Sequence, residues 1–245
     1  MSGHSKWNNI KRTKEKSDAQ KGKIFTKLGR EIAVCVKQGG ADPNVNNKLK
    51  DIIAKAKQSN MPNDSIMRSI KKASGEQDGV NYEEIVYEGY GAGGSAVIVR
   101  CLTDNKNRTA GDVRHAFDKY GGSLGNTGCV SYLFNNKGII IVEKAADLDS
   151  DSVMMLALDA GAKDITEEDD VLEIITAPED CGKVADSLEQ NGVKVESYEV
   201  DMVPDMCVDL QENHLSSFLK MVDALEDLDD VQEVSHNVNL PTDED

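Results

Sequence analysis

The spacing of apolar residues over the first 75 positions predicts three helices. The first carries Leu, Ile and Val residues at helical intervals and ends at the Gly39-Gly40 pair, which is typical of a helix C-terminus. The second is predicted to start at Asp42-Pro43, because aspartate is a common N-cap and proline fits the first turn, and to bury Val45. A third opens near Pro62. The short connections predict a small antiparallel bundle.

From residue 80 onward the pattern changes to short apolar runs that are typical of strands. Between residues 139 and 201, predicted strands and helices follow in the order βαββαβ, which is the ferredoxin-like series. A turn is predicted at Asn135–Gly138 and a return linker at Met202–Pro204. The remaining predicted elements are strands at 85–87, 96–99, 130–134, 206–208 and 231–234 and helices at 107–120 and 212–225.

These elements predict an α+β fold, with an N-terminal helical bundle followed by two α/β sandwich-type domains, one of them a ferredoxin-like βαββαβ insertion. The predicted domains are a basic helical domain at 1–78, a discontinuous α+β domain at 79–136 plus 204–245, and the ferredoxin-like domain at 137–203. The middle domain is predicted to be discontinuous because its C-terminal strand-helix-strand segment is too small to form a core alone.

Charge is distributed very unevenly along the chain, whose net charge is -16. Residues 1–75 carry 17 Lys and Arg against 6 Asp and Glu, a net of +11, whereas the remainder carries 11 against 38, a net of -27. The only tryptophan, Trp7, lies in the basic end. This asymmetry indicates that the N-terminal end contacts nucleic acid, with an acidic protein partner or a merely solvated charged face as the alternatives.

The chain offers no strong signal for catalysis or for a bound cofactor. Gly89–Gly94 satisfies G-x-G-x-x-G, but a strand rather than a helix is predicted to follow, so a glycine-rich hairpin is favoured over a dinucleotide site. The four histidines and five dispersed cysteines lack metal-ligand spacing. We therefore expect a protein that is not an enzyme and has no catalytic residue, metal, cofactor or small-molecule substrate.

The N-terminus lacks the apolar region of a secretory signal, and the longest apolar runs are too short to span a bilayer. The dispersed cysteines suit a reducing compartment. We expect a cytoplasmic protein that has no membrane partner.

Segments ordered along essentially the whole chain resemble the YebC/PmpR family. They are 1–11 (MSGHSKWNNIK), 18–19 (DA), 23–28 (KIFTKL), 60–64 (NMPND), 87–91 (YEGYG), 102–109 (LTDNKNRT), 113–117 (VRHAF), 121–122 (GG) and 225–231 (LEDLDDV). The resemblance implies a three-domain α+β protein with a helical N-terminal domain. Most members are named probable transcriptional regulators that bind DNA, whereas bacterial and mitochondrial relatives are linked to translation as ribosome-associated factors that help synthesis through proline-rich stalls.

The resemblance brings no catalytic residues, but it implies a set of nucleic-acid-binding residues. By position these are Lys6, Trp7, Lys11, Arg12, Lys14, Lys21, Lys23 and Lys27, with Asn105, Asn107 and Arg108 as a second group. Arg30 extends the basic stripe of the first helix, and Lys23, Lys27 and Arg30 are predicted to face outward. For residues 102–109 the alternative is an N-capped strand-to-helix loop without a ligand. Gln20 stands where relatives often have a basic residue.

Two functions remain open on the sequence. The first is a non-enzymatic, DNA-binding regulator of transcription. The second is a ribosome-associated translation factor that contacts ribosomal RNA or tRNA through the basic N-terminal domain and relieves stalling at proline-rich sequences. An enzyme is the least favoured class.

Overall fold

The computed structural model describes residues 18–75, 81–145, 148–168 and 170–240, with the backbone alone at 18–20. Within these ranges the fold is α+β, as predicted, and the strands form two antiparallel sheets of four. The described residues group into two compact units, one formed by 18–132 with Val208–Val238 and the other built around Leu133–Cys207. The division into three domains stays a prediction.

The described elements are numbered in chain order. The helices are α1 (Asp18–Gly39), α2 (Asn47–Gln58), α3 (Asn63–Ser74), α4 (Lys106–Lys119), α5 (Ser150–Ala160), α6 (Cys181–Gln190) and α7 (Glu212–Glu226). The strands are β1 (Glu83–Tyr90), β2 (Ala96–Thr103), β3 (Ser123–Leu124), β4 (Phe134–Glu143), β5 (Asp164–Glu167), β6 (Val171–Thr176), β7 (Val195–Pro204) and β8 (Val231–His236). Short 3-10 segments occur at Ala92–Gly94, Ser131–Leu133 and Pro178–Asp180.

Helices α1, α2 and α3 pack around one apolar core, because each places Leu, Ile, Val or Ala at helical intervals on a single face. The three helices are those expected from the sequence. The buried members of this core are Leu28, Ile32, Val36, Leu49, Ile52, Ala56, Met61, Ile66 and Ile70.

The start of α2 differs from the prediction, since Asn46 rather than Asp42 is its N-cap. The Asn46 side-chain oxygen accepts a hydrogen bond from the Leu49 amide at 3.1 Å, while its Nδ2 donates to the carbonyls of Cys35 and Gly40 at 2.8 and 2.9 Å. An asparagine amide can accept and donate at once, and therefore joins the end of α1 to the start of α2. Val45, predicted to be buried, is 78% exposed.

The sheet of the first unit has the order β3-β1-β2-β8, and α4 and α7 pack against it. Phe117 and Phe218 are fully buried, and the Phe218 ring meets the His236 ring edge-on at 5.0 Å between centroids. The glycine-rich segment joins antiparallel strands β1 and β2, as predicted. Gly93 there has a φ of 71°, and an added Cβ would lie 2.7 Å from Leu210 Cδ2.

The second unit confirms the predicted βαββαβ series, with the sheet order β5-β6-β4-β7 and every pair antiparallel. Its core contains Ile140, Leu172 and Ile174 from the strands and Val153 and Leu188 from the helices. These strand residues lie in short, mostly apolar runs within β4 and β6, which explains why the sequence predicted both strands.

Four local predictions around this unit are wrong. The predicted strand 130–134 is mostly a 3-10 segment, and the predicted turn Asn135–Gly138 is the first part of β4. Met202–Pro204, the predicted linker, ends β7 because the pairing of β4 with β7 begins at Phe134 opposite Pro204. This pairing overrides the local turn preference of asparagine and glycine. The predicted strand 206–208 is only an isolated bridge between Val208 and Val238.

Within the ranges that the structure describes, no helix is both long enough and apolar enough to cross a bilayer.

Candidate nucleic-acid interface

The segment that precedes α1, residues 3–17, is called the leader. The predicted contacts in it lie outside the described residues, and their role stays a prediction. They are Lys6, Trp7, Lys11, Arg12 and Lys14. Lys21, the next candidate, is exposed near the start of α1.

Three candidates lie on one side of α1 and form what we call the α1 stripe, namely Lys23, Lys27 and Arg30. Intervals of four and three residues bring side chains to the same face of a helix. The stripe was predicted to face outward. In the structure it faces the segment Glu226–Asp230, which connects α7 to β8 and which we call the acidic loop.

The two lysines of the stripe bind the C-terminal end of α7. Lys23 Nζ lies 3.0 Å from Asp227 Oδ1, and Lys27 Nζ donates to the backbone carbonyl of Glu226 at 2.6 Å. The last carbonyls of a helix lack intrahelical partners and carry its partial negative charge. The lysines therefore neutralise both the helix end and a carboxylate.

Arg30 makes the most buried contacts of the stripe, and its side chain is only 16% exposed. Its NH1 donates to the carbonyls of Asp229 at 2.8 Å and Leu102 at 3.2 Å, and to Oδ1 of Asp230. Its guanidinium carbon also lies 5.5 Å from the centroid of the Tyr82 ring. The prediction that Arg30 faces outward is therefore wrong. Its role in nucleic-acid binding stays a prediction.

Asp230 is the centre of this network, because its buried carboxylate accepts hydrogen bonds from four side chains. Besides Arg30, Arg108 donates through NH2 at 2.7 Å and Nε at 3.2 Å, Thr109 Oγ1 at 2.7 Å and Thr103 Oγ1 at 3.2 Å. Burial alone would raise the pKa of Asp230, but the hydrogen bonds from Arg108, Thr109 and Arg30 outweigh it, so the pKa is lowered. Asp230 is thus held as a carboxylate.

The second group of candidates lies at the start of α4. Asn105 is the N-cap, and its side-chain oxygen accepts from the Arg108 amide at 3.2 Å. Arg108 also pairs with Asp104 at 2.8 Å, and its hydrogen bonds to Asp230 and then Asp104 raise its pKa. Asn107 is exposed in the first turn. The N-capped loop offered as the alternative is therefore present, and nucleic-acid contact at these three residues stays a prediction.

A second ion-pair cluster, also missed from the sequence, joins α1 to the sheet of the same unit. On β2, Arg100 NH2 lies 3.2 Å from Oε1 of Glu31 on α1, and Arg100 Nε lies 3.2 Å from Oε2 of Glu233 on β8. Burial alone would lower the pKa of Arg100, but the carboxylates of Glu233, Glu31 and Glu84 raise it. The basic excess in residues 1–75 and the acidic run at 225–231 were the only sequence signal that the α1 stripe meets the acidic loop, and no such signal marks Arg100.

Among the described residues, histidine, cysteine and acidic side chains are the candidate ligands for a metal ion. Within them, no group of three His, Cys, Asp or Glu side chains is arranged to hold a metal ion. Cys101 is buried, and burial, followed by the nearby Asp230 charge, raises its pKa to about 12. The Cys101 side chain is therefore an unreactive thiol at neutral pH.

Comparison with known proteins identifies the family. The model of the TACO1/YebC N-terminal domain matches residues 5–76, and the model of the second and third TACO1/YebC domains matches residues 82–238. The chain belongs to the TACO1/YebC family. This confirms the resemblance found in the sequence.

Relatives within the TACO1/YebC family align over nearly the full chain. A protein of Acetivibrio thermocellus is 63% identical over 97% of this chain and 98% of its own, and one of Hathewaya histolytica is 57% identical over 98% of each. Both are named probable transcriptional regulatory protein. A crystal structure of a conserved hypothetical protein from Aquifex aeolicus is 43% identical, with a TM-score of 0.83 and 94% of each chain covered.

Proposed function

We propose that this TACO1/YebC-family protein is a non-enzymatic, nucleic-acid-binding regulator of gene expression that acts on DNA as a regulator of transcription. The observation that carries the proposal is the separation of charge, with +11 on residues 1–75 and -27 on the rest. Relatives named transcriptional regulatory proteins support the same role. In this proposed role the protein acts in the cytoplasm and needs no cofactor or small-molecule substrate.

The docking of the α1 stripe shifts the proposed contact toward the leader. Since Lys23, Lys27 and Arg30 are bound to the acidic loop, they have less positive charge to offer a phosphate. Lys11 and Arg12 of the leader would neutralise phosphates and release counterions. Contact is expected at this end alone, because the acidic remainder repels a polyanion.

A ribosome-associated translation factor is the second candidate, and the -27 charge favours it. A long duplex lying alongside the acidic part would be repelled, whereas a folded RNA surface could receive the basic end alone. Trp7 could stack on an unpaired base of ribosomal RNA or tRNA. In this role the protein would relieve stalling at proline-rich sequences.

The two candidates are separated by measuring duplex-DNA affinity and ribosome co-sedimentation for the same proteins. We would compare wild type, Lys11→Gln/Arg12→Gln in the leader, and the charge-matched control Lys48→Gln/Lys57→Gln in α2, where both lysines are exposed. The transcription role predicts salt-dependent duplex binding that the leader pair weakens and the control pair retains. If wild type binds ribosomes but not the duplex, the translation role replaces the transcription role. If wild type binds neither, both candidate functions are contradicted.

A further inference from the structure

The outer face of α3, which we define as Arg68, Lys71 and Lys72, is a second basic surface of the helical bundle. Ile66 and Ile70 are buried on the opposite side of the same helix. Intervals of three and four residues bring the cations together within one turn of the helix. All three are exposed, so the bundle presents a compact group of positive charges to solvent.

Within the described residues, the fold makes little use of the charges of Arg68 and Lys71. Neither Arg68 nor Lys71 forms a side-chain ion pair or hydrogen bond with any residue in the described part of the chain. Cations in the last turn complement the helix dipole, which gives Lys71 and Lys72 a modest structural role. Arg68 lies a turn earlier, where that effect has faded. Contacts within the described residues therefore do not explain why Arg68 and Lys71 are basic.

We propose that the outer face of α3 binds the phosphate backbone of duplex DNA. The inference rests on the proposed function and names a surface for it. Each DNA strand carries one charge per about 3.4 Å of helix axis, so two long cationic side chains on adjacent turns can reach neighbouring phosphates. Arg68 adds a planar guanidinium that can bind a phosphate through two parallel hydrogen bonds.

Charge complementarity favours a regular polyanion over an acidic protein as the occupant. Asp64, in the first turn, is the single carboxylate of α3, so the half of the helix around Arg68 and Lys71 has one sign of charge. A phosphate backbone offers equally spaced partners to such a group, whereas acidic protein surfaces interleave carboxylates with other side chains. The face then contributes register and affinity without reading sequence.

The test is a salt titration of binding to a 30-base-pair duplex of arbitrary sequence. The variant Arg68→Gln/Lys71→Gln is compared with wild type and with the control Lys48→Gln/Lys57→Gln, which removes the same charge from α2. Loss of two phosphate contacts should make the slope of log K against log salt shallower by about 1.8 and lower the affinity at least about tenfold. The control should have the slope and affinity of wild type. The melting temperatures of all three proteins should agree, which shows that each is folded.

Each contrary outcome has a distinct meaning. A wild-type affinity that the α3 pair retains would overturn the inference and leave the proposed function standing. Equal losses in the α3 and control pairs would also overturn it, because net charge alone would then explain binding. A loss seen with an RNA hairpin or with polyglutamate, but not with the duplex, would reject DNA as the occupant. If wild type binds no duplex at all, the proposed function itself fails.

Discussion

The α1 stripe and the outer face of α3 carry the same kinds of side chain at similar helical intervals, yet they lie in different surroundings. Arg30 of the stripe is bound to Asp230 and to two backbone carbonyls, whereas Arg68 on α3 faces solvent. The difference comes from the acidic loop across from α1, which no local pattern in α1 reveals. Whether a basic stripe docks within the protein or stays available to bind a ligand therefore depends on which element of the fold lies across from it.

Replacing Asp230 should produce the largest loss of stability on the α1 side of the comparison. In Asp230→Ala, the side chains of Arg30, Arg108 and Thr109 all lose the carboxylate to which they donate hydrogen bonds. Removing one partner of a buried, hydrogen-bonded charge pair costs about 3–5 kcal/mol. We expect the free energy of unfolding to fall by about 3 kcal/mol, at the lower end because Arg108 is half exposed. Urea denaturation followed by far-UV circular dichroism measures it.

The matched control for that variant is Asp229→Ala. Asp229 is exposed and contributes its backbone carbonyl, rather than its carboxylate, to the Arg30 contact. Its replacement should change the free energy of unfolding by at most about 0.5 kcal/mol. Equal effects of the two substitutions would show that the carboxylate of Asp230 is not the centre of the docking.

The arginines of the two surfaces should contribute differently to stability, which is tested by replacing each with methionine. Arg30→Met removes hydrogen bonds to a buried carboxylate and two carbonyls, so we expect a loss of about 2 kcal/mol in the free energy of unfolding. Arg68→Met removes no such contact and should stay within about 0.5 kcal/mol of wild type. Similar losses at both positions, measured by urea denaturation, would remove the distinction between the surfaces.

The docking should weaken in acid. Since the pKa of Asp230 is lowered by folding, its contribution is fully present above the pKa of the unfolded side chain, about 3.9, and is lost as the pH falls through the lower folded-state pKa. The difference in unfolding free energy between wild type and Asp230→Asn should therefore shrink as the pH falls below about 4. Urea midpoints across the acid range test this, and a constant difference would contradict the ionised role of Asp230.

The smallest effect is expected at the exposed edge of the stripe. Lys23 and Asp227 are 41% and 61% exposed, and such surface pairs are typically worth at most about 0.5 kcal/mol after solvent screening. A double-mutant cycle with Lys23→Ala and Asp227→Ala should give a coupling energy in that range that vanishes in high salt. A coupling energy as large as the loss of unfolding free energy in Arg30→Met would contradict the assignment of Asp230, rather than the Lys23–Asp227 pair, as the centre of the docking.

Much of the fold could be predicted because the apolar patterns are strong. The buried faces of α1 and α3 and the series from β4 to β7 follow directly from helical or strand periodicity. The turn predicted at Asn135–Gly138 failed because β7 pairs with β4 through those residues, and that pairing is non-local. Asn46 was missed as a cap because its use depends on the end of α1 lying beside the start of α2.

The candidate residues were harder to interpret for the same reason. The sequence marks Lys27, Arg30 and Arg108 as basic, but their partners lie up to 200 residues away in the chain. Nothing in the sequence connects Thr103 and Thr109 with Asp230 until the fold brings them to its carboxylate. Local spacing thus finds charged faces and cannot say which of them are neutralised.

Competitive acetylation of lysines, read by mass spectrometry with and without duplex DNA, tests the division between the two surfaces most directly. Lys27, whose Nζ donates to Glu226, should react several-fold more slowly than exposed Lys71 in the free protein, and the two rates should converge on unfolding. Duplex DNA should then protect Lys71 and leave Lys27 unchanged. Equal rates in the free protein, or DNA protection of Lys27 in place of Lys71, would contradict the account.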